Sequence, residues 1–102
     1  MPTQSLKAAS PHRHPTQCFS VQALAEPSVM PRVLEQFAKR GLVPTAWHSA
    51  CQLLESGSRE LTIDIQVEAL DPADSVLIAA GLRQIVSVQS VLTAEKRYAL
   101  SA

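Results

Sequence analysis

Three histidines, two cysteines and one well-placed aspartate are the side chains of this chain best suited to chemistry, and their spacing limits what they can do. His12 and His14 stand one residue apart with no third donor near them, whereas a protein metal site needs three or four converging ligands. His48 and Cys51 are three apart. On a strand that spacing points them to opposite faces, so the imidazole cannot activate the thiol. They read as a surface imidazole and a partly buried thiol. Asp64 falls on the polar side of a strictly alternating segment, where a carboxylate is solvated or at an interface rather than held as a general base. No catalytic residue, metal ligand or cofactor site is assigned.

The bulk composition excludes other classes. With 102 residues the chain has the size of one domain. Hydrophobic residues make up 46% and charged residues 18%, an ordinary globular mixture that supplies one two-layer core without a deep cavity. Nine basic residues balance nine acidic ones, so no net field draws the chain to nucleic acid or to an anionic membrane. Aromatics are only 4%, too few for a base-stacking surface. No apolar run approaches the roughly 20 residues that span a bilayer. Two cysteines do not make a disulfide framework, and no apolar stretch follows Lys7 as in a secretory signal, so a cytoplasmic location with reduced thiols is expected.

The elements that must position these residues follow from periodicity. Residues 1–17 contain three prolines and almost nothing apolar, and are expected to be a flexible tail. From Cys18, the alternation of Phe19, Val21 and Ala23 with Ser20 and Gln22 predicts a half-buried strand. Val29, Met30, Val33, Leu34, Phe37 and Ala38 form the stripe of an amphipathic helix, with Ser28 as its expected cap and Gly41 as its stop. Leu42–Leu54 predicts a second strand, its pattern blurred by Pro44, and Ser56-Gly57-Ser58 a turn. Leu61, Ile63, Ile65 and Val67 alternate with Thr62, Asp64, Gln66 and Glu68, predicting the clearest strand of the chain. Asp71-Pro72-Ala73-Asp74 is a strong helix start. Ile78, Leu82 and Ile85 are its expected buried face, with Gly81 allowing close approach to the sheet, and Val86, Val88 and Val91 supply a last strand. Residues 94–102 are expected to be a frayed tail.

The order β, α, β, β, α, β predicts the ferredoxin-like α+β sandwich: a four-stranded antiparallel sheet with both helices on one face. The other face is expected to be bare, with short or polar residues and Trp47, and bare sheets with free edges pair with further copies. Because this fold hosts unrelated functions, each needs its own residues. A heavy-metal carrier needs paired cysteines in the first strand–helix loop, and Ala25–Met30 has none. An RNA-recognition module needs aromatics where Asp64 and Gln66 stand. An acylphosphatase-like enzyme needs a loop arginine that is likewise missing.

The run from Ala25 through the Arg40-Gly41 pair to Pro44 resembles the signature of the ACT-domain family, and within it the short regulatory (small) subunit of acetolactate synthase. The stretches 60–67 and 82–91 fit the same pattern, so the resemblance spans about residues 18–93. It implies a non-catalytic regulatory subunit that forms a homodimer and supports the large catalytic subunit in branched-chain amino-acid biosynthesis. It also implies an amino-acid effector held between two domains, near Ala25, Glu26, Pro27, Ser28, Val29, Met30 and Val43. The positive end of a helix suits such a carboxylate. Three positions depart from the valine-responsive pattern: Ala25 and Val43 replace asparagines, and Ser28 replaces a glycine. Pro27 and Pro31 remove two N–H groups. A weak or absent valine response is therefore expected. A stand-alone ACT-type sensor of another small molecule is the alternative.

Overall fold

The computed structural model describes residues 14–96. Six elements follow one another: β1 (Thr16–Leu24), α1 (Val29–Ala38), β2 (Ala46–Leu53), β3 (Arg59–Val67), α2 (Pro72–Arg83) and β4 (Val88–Lys96). The strands form one antiparallel sheet in the order β2-β3-β1-β4, and the expected βαββαβ architecture is present.

Alternation decides the two faces. Phe19, Val21 and Ala23 of β1 stand opposite Ile65, Ile63 and Leu61 of β3, and all six are buried. Val29, Val33 and Phe37 of α1 and Ile78, Ala79 and Leu82 of α2 close over them. The rings of Phe19 and Phe37 meet edge to face, with centroids 5.4 Å apart. That geometry adds about 0.5–1.5 kcal/mol to the burial of the two side chains.

The helix ends are built differently from one another. At α2, the Asp71 carboxylate accepts the Ala73 N–H at 2.9 Å, and Pro72 occupies the first helical position. At α1, Ser28 has helical rather than extended dihedrals and its hydroxyl makes no capping bond, contrary to expectation. The first turn is closed instead by the backbone, the Val29 N–H donating to the Glu26 carbonyl at 3.1 Å. The C-terminus of α1 ends as expected at Gly41, whose φ of 71° suits only glycine well. There the Gly41 N–H bonds the Ala38 carbonyl and the Leu42 N–H reaches back to Phe37, a Schellman closure.

Several boundaries differ from the sequence reading. β1 starts at Thr16, and both Thr16 and Gln17 are buried, because β4 continues to Lys96 and pairs with them. Residues 16–17 and 94–96 thus belong to the sheet and not to tails, and Pro15 accepts the Leu70 N–H at 3.3 Å; residues 1–13 and 97–102 of the expected tails lie outside the described residues. β2 starts at Ala46 rather than Leu42: the Leu42 N–H is spent on the helix closure, Pro44 has none, and pairing begins where Thr45 donates to Gln66 at 2.7 Å. β4 starts at Val88, since Val86 is 88% exposed, and a register shift opposite Gln22 and Ala23 marks a bulge. Trp47 pairs with Ile65, which puts it on the helix side, half-buried against the core, and not on the bare face. Gly81 meets α1 rather than the sheet: a Cβ there would come within 2.1 Å of the Gln36 amide oxygen.

Candidate functional site

The connection between β1 and α1 carries most of the residues expected to hold an effector. Ala25 continues the pairing at the end of β1, its N–H bonded to the Arg59 carbonyl at 3.0 Å, and it packs on the core. Glu26 reaches across to Ser87, whose hydroxyl donates to its carboxylate in a short contact. This ties the loop to the residue that leads into β4. The same Ser87 accepts the Leu24 N–H through its carbonyl. Val29 faces the core, while Pro27, Ser28 and Met30 are exposed.

As an anion site this loop is depleted. Pro27 and Pro31 have no N–H, and the Val29 N–H is already engaged. The positive end of the helix dipole therefore presents few donors, and the only ionised side chain of the loop, Glu26, has the same sign as a carboxylate ligand.

Val43 is not brought to this loop. It lies 79% exposed before β2, two residues ahead of Thr45, which bonds Gln66, whereas the loop leaves the sheet opposite Glu60. Six residues of strand separate these levels, roughly 20 Å at about 3.3 Å per residue. Six of the seven candidate residues thus lie at one end of the sheet, and Val43 alone lies at the other.

A second region was not legible as such in the sequence. α1 turns Gln36 toward α2, where it meets Gly81. By helical spacing, Met30 and Leu34 lie on the other flank, toward β2, and both are exposed. The helix layer stops short of β2, whose helix-side residues Cys51 and Leu53 are uncovered, Leu53 at 69% exposure. β2 pairs with β3 along one edge, and among the described residues its other edge has no strand beside it. The result is an apolar corner beside an open sheet edge.

The bare face is polar and small in its centre, with Ser20, Gln22, Asp64 and Gln66, as expected. His48 lies opposite Asp64 on that face and Cys51 opposite Leu61 on the other, so imidazole and thiol do diverge. Among the described residues, no three His, Cys, Asp or Glu side chains converge as metal ligands. No helix among them is long and apolar enough to cross a membrane.

A βαββαβ sandwich with a loop at the N-terminus of its first helix and, among the described residues, free edges on its two outer strands is a small ferredoxin-like module. The sequence pattern of the ACT-like domain matches residues 10–99, and the chain belongs to that family. Domains of this kind bind small molecules and regulate, generally without catalysis of their own. The fold is similar to the ACT domain of GTP pyrophosphokinase from Chlorobium tepidum: TM-score 0.64 and 9% identity, covering 79% of this chain and 99% of that one. It is also similar to the C-terminal domain of the MgtC protein from Mycobacterium tuberculosis: TM-score 0.58 and 13% identity, covering 87% and 95%. Prephenate dehydratase from Streptococcus mutans matches with a TM-score of 0.51 and 18% identity over 79% of this chain, which spans only 41% of that enzyme. At these identities the likeness is one of fold. No curated protein sequence matches the chain.

Proposed function

We propose that this chain is a non-catalytic regulatory domain that works by docking: to a second copy of itself along the β2 edge, and to a larger catalytic protein. The observation that carries this reading is the uncovered corner formed by Met30, Leu34 and Leu53 beside the free edge of β2. An antiparallel copy added there would continue the sheet, cover the corner and satisfy the edge N–H and C=O groups. It would also offer the loop residues and Val43 a way to meet between chains.

The resemblance of residues 25–44 to acetolactate synthase small subunits supports that synthase as the catalytic partner, in branched-chain amino-acid biosynthesis. The depleted donor set of the β1–α1 loop supports a weak or absent valine response. Co-purification of the full chain with the synthase catalytic subunit of the same organism, together with a rise in synthase activity, is the expected result. A synthase that neither binds the chain nor changes its rate would remove this partner. The second reading, a stand-alone amino-acid sensor, rests on family membership. It predicts that one amino acid, at 100 times its dissociation constant, stabilises the chain by roughly 2.7 kcal/mol in a thermal-shift screen.

A further inference from the structure

The sheet face that no helix covers has a hollow of about 390 Å³ crossing all four strands. Strand register explains its shape. One row runs His48, Asp64, Ser20, Leu92, and in the next row Gln66 and Cys18 are flanked by two alanines. In the first row the short Asp64 and Ser20 lie between the longer His48 and Leu92, and in the second Ala46, Cys18 and Ala94 are all short, which leaves a depression in a surface already curved by the sheet twist. Its volume lies within the range of small-molecule sites.

Its chemistry is one-sided. Asp64 is the only carboxylate lining the hollow, and no lysine or arginine lines it. Among the described residues, the Asp64 carboxylate has no ion-pair or hydrogen-bond partner within the chain. Lys96, on the same face, lies two rows along and two strands across, on the order of 16 Å from Asp64 by standard strand spacings. That is about twice the Debye length at physiological salt, so it does little to offset the carboxylate. Beside Asp64 stand two uncharged acceptors, the Ser20 hydroxyl and the Gln66 carbonyl. Leu92, 70% exposed, borders the hollow with an apolar surface. A second copy is a poor occupant: two hollows pressed face to face would enclose a double void, and packed interfaces do not tolerate such gaps.

We propose that this face binds a small organic cation, with an ammonium or guanidinium group against Asp64, Ser20 and Gln66 and a short alkyl chain over Leu92. This site is separate from the β1–α1 loop and from the β2 edge, and it does not depend on either. A carboxylate on the same molecule works against binding, because it brings a second negative charge beside Asp64.

Titration of the full chain with butylammonium, followed by backbone amide resonances, tests this directly. Saturable shifts are expected at Ser20, His48, Asp64 and Gln66. Butyrate is expected to leave those amides unmoved, and norvaline, the zwitterion of similar chain length, to bind at least about tenfold more weakly. Asp64→Asn, a change at an exposed position, is expected to keep the native spectrum and weaken butylammonium about tenfold or more. His48→Ala, at the rim, serves as a second variant and is expected to shift the affinity less than Asp64→Asn does. Shifts that do not saturate, shifts centred on another surface, equal binding of norvaline, or full affinity in Asp64→Asn would each overturn the proposal.

Discussion

The chain repeats one pattern twice, strand–helix–strand, and finishes the two copies differently. In the second half, Asp71 caps α2, Arg83 donates to the Val91 carbonyl at 2.8 Å, and the helix packs against both β4 and β1. In the first half, α1 has no side-chain cap, its outer flank is apolar and exposed, and among the described strands β2 pairs with β3 alone. Both halves contribute equally to the core: Phe37 and Leu82 are each fully buried. The difference is therefore confined to surfaces. The second half is the more closed of the two, its helix capped and packed on the outer strand, although among the described residues β4 too keeps a free edge and α2 exposes Val76 and Leu77. The first half is the more open, with no described helix over the end of its outer strand.

If the halves differ only outside the core, Phe37→Ala and Leu82→Ala should be similarly severe. Each is expected to cost about 3–5 kcal/mol by denaturant unfolding, and a large imbalance would mean that one helix carries the fold. The next effect concerns the open half. Leu53→Lys places a charge in the proposed edge contact, twice per two-fold dimer, and is expected to weaken self-association about a hundredfold or more. Because Leu53 is largely exposed within one chain, the variant's thermal unfolding when dilute should be unchanged. The helix starts give a smaller contrast. Asp71→Ala is expected to cost about 1 kcal/mol, while Ser28→Ala should be close to neutral because its hydroxyl caps nothing. The smallest effect is at the helix–helix contact. Gly81→Ala should stabilise by up to about 1 kcal/mol, since Gln36, whose buried amide oxygen has no partner among the described residues, can swing aside.

The closed half was also the more legible in the sequence. Alternation from Leu61 to Val67 and the Asp71-Pro72 start are local signals, and both elements lie where they were expected. The open half was misread where tertiary structure overrides local pattern. Leu42 and Val43 have strand-like side chains, but the Leu42 N–H completes the end of α1 and Pro44 has none to give a sheet. Thr16 and Gln17 are polar and look like tail, yet β4 pairs with them; among the described residues the buried Gln17 amide nitrogen has no partner. Trp47 lies on the helix side because it stands opposite Ile65, a register set by pairing with β3 and not by the residues before Ala46. Of the candidate site, the loop 25–30 came from the family resemblance alone, and the cap expected at Ser28 does not form. The separation of Val43 from it, and the hollow around Asp64, depend on which strands lie side by side. No single segment encodes that.

The central claim is that the free edge of β2 is a site of pairing, and amide hydrogen exchange reads it most directly. In a dilute sample, the β2 amides that point away from β3 should exchange rapidly. As the concentration of the full chain rises, those amides should gain protection while the ends of β4 do not. Uniformly fast exchange of the outer β2 amides up to millimolar concentration, from a chain that sediments as a monomer, would contradict the account.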